Sequence, residues 1–409
     1  MHSPASHPWD ALRRTAAAVL REGRFDDAER WYTAALRAVE AEEADDPRLL
    51  ISLRDLVDLH DQHLVQLHQA GGVARGDPLG REDRRALALL AARVRRRQRA
   101  AATRVLAALE ATRPPDDPAL VDALLHMAAL SWEINELEAF APLERALALR
   151  ARALGPDHPA TLLLVRRLAG WHATLGDFAA AEPLWHRALA DVDRHATEGA
   201  GDVEDRRGLL HALGKAYNAL GRHAEAEATW RSWLALPAPA IPHDPTGYLR
   251  ALTSLDPLYG AARACAAQGR WAAAEPLFRR AVAAHRRCPD DPIYERAGAD
   301  WLGLDTGFRD LARTLRALGR DDEAVDCYAA ALAARRGGRP PWAERDLPPL
   351  LREYGATLRA RGRSAAARDV EAQAAVIQGE VDAHRAEVRA RAMRPDARPR
   401  GGQAPSAPA

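Results

Sequence analysis

The sequence predicts an all-α protein, a solenoid of antiparallel helix pairs. Three things point there: a phrase that repeats, the period at which it repeats, and the helical patterning of what precedes it. Residues 176–189 read GDFAAAEPLWHRAL and residues 269–282 read GRWAAAEPLFRRAV, identical at nine of fourteen positions and offset by 93. Weaker copies begin at Gly23, Gly221, Gly319 and Gly362, each with alanine five residues after its glycine. A degenerate copy, NELEAFAPLERALA, begins at Asn135. From Asn135 onward the spacings are 41, 45, 48, 50 and 43 residues, and a period in that range marks stacked supersecondary units.

Each unit divides into a first helix, a glycine turn and a second helix. The first helices are ATLLLVRRLAGWHATL before Gly176, RGLLHALGKAYNAL before Gly221 and TGFRDLARTLRAL before Gly319. Their apolar residues recur at i, i+3, i+4 and i+7, the mark of an amphipathic helix. The glycine suits the end of that helix, where the chain turns left-handed. The alanine five residues later marks a close approach of two helices, and an aromatic such as Phe25, Phe178 or Trp271 is placed to plug the hairpin.

The first helices have start signals: Asp46-Pro47, PDDP at 115–118, PDHP at 156–159, PHDP at 242–245 and PDDP at 289–292. Aspartate caps a helix N-terminus and proline fits its first position, so these acids are read as caps rather than as a catalytic or metal cluster. Pro142, Pro183 and Pro276 fall early in second helices, where a slight kink is expected. About eight helix pairs result. Residues 1–46 form an N-terminal pair, 47–117 a divergent long pair with a basic second helix, and 118–392 the main array. Residues 393–409 form a disordered Pro/Ala/Gly-rich tail.

Composition narrows the function. Alanine, leucine and arginine dominate, and 47 % of residues are hydrophobic, so the chain can bury a core. The formal net charge is +1, so the molecule as a whole has no strong field. Lys215 is the only lysine, leaving planar arginine forks, suited to carboxylate or phosphate, as nearly all the positive charge. Cys265, Cys288 and Cys327 lack the spacing of a disulfide framework or zinc site. No secretory signal or membrane span is evident, and a cytoplasmic location is expected.

The repeat resembles the tetratricopeptide repeat, in the longer variety of about 42 residues found in kinesin light chains and bacterial signalling proteins. Leu168, Ala169, Gly176, Phe178, Ala181, Trp185 and Ala188 fall on its packing positions. In the next unit Leu213, Gly214, Tyr217, Gly221, Ala226 and Trp230 do so. The resemblance covers 118–375 and extends to 9–43. It implies a right-handed superhelix whose first helices line a concave groove that binds peptides or protein segments.

No enzyme is evident. The stretch from Gly208 to Gly214-Lys215-Ala216 has the wrong spacing for a phosphate-binding loop and lies within a helix. His60, His63 and His68 lack the i, i+4 spacing with an intervening glutamate, so packing or solvated histidines are expected rather than a metal site. Cys265 and Cys327 fall at packing positions. Acid pairs such as Asp26-Asp27 and Asp321-Asp322 open second helices, where the helix dipole favours them. No cofactor or metal is expected.

One pattern remains. With the turn glycine numbered fifteen, the resemblance places positions five, nine and twelve of each first helix on the groove. Five successive units put there Arg166, Gly170, Ala173; His211, Lys215, Asn218; Tyr259, Arg263, Ala266; Arg309, Arg313, Arg316; and Arg352, Ala356, Arg359. Eight of the fifteen are Arg or Lys and none is acidic. A basic groove for an acidic or carboxylate-bearing segment is expected, with Asn218 and Tyr259 bonding its backbone. The alternative is a nucleic-acid-associated or peptide-sensing regulatory protein, to which RVRRRQR at 93–99 would contribute phosphate contacts.

Overall fold

The computed structural model describes residues 8–41, 46–73, 81–195, 200–237, 248–286, 304–334 and 346–392. Among them are sixteen α-helices and no strand. The first eight are α1 (Pro8–Arg21), α2 (Phe25–Glu40), α3 (Pro47–Val73), α4 (Arg81–Thr112), α5 (Pro118–Ile134), α6 (Phe140–Leu154), α7 (Pro159–Thr174) and α8 (Phe178–His195). The rest are α9 (Ala200–Ala219), α10 (His223–Leu234), α11 (Tyr248–Ala267), α12 (Trp271–His285), α13 (Leu304–Ala317), α14 (Asp321–Ala334), α15 (Leu347–Ala360) and α16 (Ser364–Ala392). They form eight hairpins. The expected tail, 393–409, lies outside the described residues, as do Cys288 and the start signals at 242–245 and 289–292.

The chain divides into two compact units, one ending at Asp191 and one beginning at Val192. In the first, each helix from α1 to α6 packs on the next. The divergent stretch is the long pair α3/α4, and it shares one core with the repeats on either side, including Leu36, Leu59, Leu109, Leu124, Leu143 and Leu164. In the second unit each helix from α9 to α15 packs on its successor, and α11 also touches α9 and α13. First helices of successive hairpins therefore lie side by side. Tyr259, Phe278, Leu315, Tyr328 and Leu351 anchor this second core.

The repeated phrase closes the hairpins. Gly23, Gly176, Gly221, Gly269, Gly319 and Gly362 all have φ between 71° and 80°, a left-handed conformation that costs a side-chain-bearing residue about 1–2 kcal/mol. At Gly221 the turn is held by Arg222 N–H donating to the Tyr217 carbonyl at 2.9 Å. The alanines five residues on, Ala28, Ala181, Ala226, Ala274, Ala324 and Ala367, are completely buried. Asn135 is the exception: its backbone is extended and a 3-10 turn, Glu136–Ala139, leads into α6.

The phrase also carries both halves of a tie between hairpins. In the copies at Gly269 and Gly319 the second residue is arginine, in the copies at Gly221 and Gly269 the seventh is glutamate, and each of these arginines reaches the glutamate of the unit before. Arg270 meets Glu227, and Arg320 meets Glu275 at 2.6 Å.

Capping follows the start signals with one change. Asp117 accepts from Ala119 N–H at 2.8 Å, and Asp46 from Arg48 N–H at 2.8 Å. In PDHP the cap is His158, not Asp157: its Nδ1 accepts from Ala160 N–H at 3.1 Å. The residue directly before the proline takes the cap position, and in this copy that residue is histidine. Pro142 is the third residue of α6, where no intrahelical N–H bond is lost. Pro183 and Pro276 are sixth in α8 and α12, and both helices continue through them.

Candidate functional site

The second unit holds ten of the eleven polar groove residues, on α9, α11, α13 and α15; Arg166 is half-buried on α7 in the first unit. The 3.6-residue helix repeat sets how far each position emerges. Position nine is exposed in each case: Lys215, Arg263, Arg313 and Ala356. Arg316, Arg352 and Arg359 are exposed as well, while His211, Asn218 and Arg309 are half-buried.

Tyr259 departs from expectation. Its side chain is fully buried in the second core, and its ring lies against Gly307 of α13, so it offers no hydroxyl to a groove ligand. Burial raises its ionisation well above the usual tyrosine range. Asn218 is also committed, donating from Nδ2 to the Gly260 carbonyl at 3.3 Å.

The larger correction concerns charge. The stripe contains no acid, yet carboxylates from the following first helix reach into it. His211 lies 3.0 Å from Asp256, and Arg263 donates to Asp310 at 2.8 Å. Arg309 and Arg313 both donate to Glu353, at 2.5 and 2.6 Å. Arg359 pairs with Glu371. The same arrangement appears in the first unit, where Arg13 of α1 holds Asp55 of α3 with two hydrogen bonds.

Asp310 and Glu353 sit one residue after position five, and Asp256 three residues before it. A rotation of one residue on a helix is about 100°, enough to aim these acids sideways at the preceding helix rather than outward. The signal was present in the adjacent pairs Arg309-Asp310 and Arg352-Glu353. It becomes readable only once the side-by-side placement of first helices is known.

Glu353 is the most densely held of these acids. Arg309 and Arg313 each place two guanidinium nitrogens on its carboxylate, and the Tyr328 hydroxyl donates to Oε2 at 3.3 Å. Burial alone would raise its pKa. The hydrogen bonds from Arg313 and Arg309, with their charges, hold it down at about 2. The Arg316 charge lies close enough to Tyr328 to oppose the rise that burial gives its hydroxyl pKa. After these pairings, Lys215, Arg316 and Arg352 have no carboxylate partner among the described residues; Arg352 donates to Gln378 at 3.2 Å.

The remaining candidate residues are used in packing. His60 is buried and lies 3.3 Å from Glu29, and His63 stacks on Phe25 at 4.4 Å between ring centres. Among the described residues no group of three His, Cys, Asp or Glu could hold a metal ion. Burial raises the thiols of Cys265 and Cys327, making them poorer nucleophiles. In the basic helix α4, Arg95 pairs with Glu133 at 2.7 Å, Arg97 with Glu29 at 2.6 Å, and Arg99 with Glu138. No helix among the described residues is long and apolar enough to cross a membrane.

Models of the tetratricopeptide repeat match residues 124–160, 258–292 and 309–340. No curated protein matches the chain. Among solved structures the chain is similar to BtubC (BKLC) from P. vanneervenii, at 18 % identity and TM-score 0.43, over 67 % of this chain and 99 % of that one. It is also similar to a kinesin light chain-like protein from Podosopora anserina with nearly identical TPR-like repeats. There the identity is 20 % and the TM-score 0.36, over 56 % of this chain and 96 % of that one. A third is the Signal Transduction ATPase with Numerous Domains protein with a tetratricopeptide repeat sensor from Pyrococcus horikoshii. It shares 12 % identity at TM-score 0.43, over 79 % of this chain and 41 % of that one. The repeat models fall in both compact units.

Proposed function

This chain carries tetratricopeptide repeats in both compact units, and from that premise we propose that it is a non-catalytic adaptor binding an acidic or carboxylate-bearing segment of another protein. The segment lies along the first-helix stripe of the second unit. One observation carries this reading: Lys215, Arg316 and Arg352 are exposed cations on that stripe without a carboxylate partner among the described residues. Arginine forks bind carboxylates with two parallel bonds, and an extended segment offers such groups at regular intervals. The paired cations Arg263 and Arg313 are also exposed beside them.

The adaptor reading is tested by affinity capture from the native host's lysate, with nuclease, at low and moderate salt. Wild type is run beside a Lys215→Glu, Arg316→Glu, Arg352→Glu variant. One protein retained by wild type and lost by the variant supports the reading. Equal capture by both overturns the stripe as the site. Capture abolished by nuclease overturns the protein ligand in favour of nucleic acid.

A further inference from the structure

We propose that the arginine cluster on α13 is a carboxylate-binding site whose resident occupant is Glu353, and that a ligand's carboxylate enters it by displacing that side chain. This rests on the stripe reading above and names how one place on the stripe is regulated.

The geometry is that of a built anion site. Arg309 and Arg313 stand one helical turn apart on α13, so both guanidinium groups reach the same point on one face. Each places Nε and Nη2 on the Glu353 carboxylate, at 3.3 and 2.5 Å from Arg309 and at 2.8 and 2.6 Å from Arg313. Tyr328 adds a hydroxyl donor from α14 at 3.3 Å. Two forks and a hydroxyl aimed at one carboxylate are more donors than an isolated inter-helix ion pair requires.

The occupant is also exchangeable. The side chain of Glu353 is 24 % exposed and that of Arg313 is 46 % exposed, so the cluster opens to the stripe. An incoming carboxylate replaces one anion with another, and the arginines exchange one set of charge-assisted bonds for an equivalent set. The penalty for leaving two neighbouring cations unpaired is avoided throughout. Glu353 therefore competes with any acidic ligand at this point of the stripe and lowers its apparent affinity.

Two measurements on the full chain test this. In the first, Glu353→Ala is melted in sodium acetate and in sodium chloride at equal ionic strength. Acetate raising the melting temperature of the variant above its value in chloride, with no such difference for wild type, is the expected result. In the second, binding of a fluorescein-labelled octaglutamate peptide is compared for wild type and Glu353→Gln, with circular dichroism confirming equal helix content. Removal of the competing charge is expected to tighten binding roughly tenfold, the equivalent of about 1.4 kcal/mol.

Acetate acting no differently from chloride on Glu353→Ala, with the peptide bound equally by wild type and Glu353→Gln, overturns the displacement proposal and leaves the stripe reading standing. Acetate stabilising Glu353→Ala while the peptide binds neither form supports a carboxylate site in the cluster and overturns the acidic-segment reading.

Discussion

The ring of Tyr259, on α11, occupies the space that a side chain on Gly307, on α13, would need. A Cβ built on Gly307 falls well inside van der Waals contact of the phenol hydroxyl, and both residues are buried. Trp230 is held in the same manner: a Cβ on Gly214 or on Gly260 would lie 2.5 Å from its indole. A large ring from one hairpin thus enters a glycine slot on the next, and this sets how closely successive hairpins approach.

Gly307→Ala is expected to destabilise the second unit by about 1–3 kcal/mol through overpacking. Gly208→Ala on α9 is the matched control. Nothing lies within 4 Å of a Cβ there, so the helix-propensity gain of up to about 1 kcal/mol should appear instead. Opposite shifts of the urea midpoint are the expected outcome. Equal effects from the two substitutions would mean that the slot does not set the spacing.

The ties written into the repeated phrase should differ in strength. Glu227 is 4 % exposed and meets Arg270, Arg231 at 2.8 Å and Gln268 at 2.9 Å. Glu275 is half-buried and Glu323 exposed, and both stand in a ring with Arg279 and Arg320. Arg270→Met takes a partner from a buried carboxylate and should cost about 1–3 kcal/mol. Arg320→Met should cost less, about 0–1 kcal/mol, because its guanidinium is exposed and Arg279 still holds Glu275. Chemical denaturation of the two variants side by side checks the order.

These ties also show how far the fold was legible. The glycine and the alanine five residues later each have one structural use, a left-handed turn and a close helix approach, so hairpin number and boundaries could be read directly. The seventh-position glutamate of the phrase was visible, but its partner lies in the next copy. Pairings between repeats depend on how hairpins stack, which periodicity does not specify. Tyr259 illustrates this: position five faces outward on His211, Arg309 and Arg352 to differing degrees, yet on α11 the glycine at position 307 opens a slot that draws the ring inward. The basic stripe was found by its cations. The acids that answer them were missed because they project sideways from the next helix.

Glu353 should make the second unit sensitive to acid. Its folded pKa, about 2, lies below the ordinary glutamate value of 4.5. A group depressed on folding contributes stability that is fully present above its unfolded pKa and is lost as pH falls toward the folded value. Urea midpoints of wild type should therefore decline between about pH 5 and pH 2, the window those two values define. Glu353→Gln should start lower at neutral pH and decline less over that window. Parallel curves for the two proteins would show that Glu353 contributes no such linkage.

The same cluster decides which stripe variant can test ligand binding. Reversing Arg309 and Arg313 to glutamate would set two new carboxylates against the half-buried Glu353 and remove both guanidinium groups that hold it. Loss of capture by that variant would report a damaged fold as readily as a damaged site. Among the described residues Lys215, Arg316 and Arg352 have no carboxylate partner to strand. Their reversal should leave stability within about 1 kcal/mol of wild type, as expected for surface charges, while weakening capture of an acidic partner. The loss should shrink as salt rises, because exposed charges are screened over about 8–10 Å at physiological ionic strength. A variant with unchanged helix content and melting temperature and unchanged capture at low salt would show that these three cations take no part in recognition.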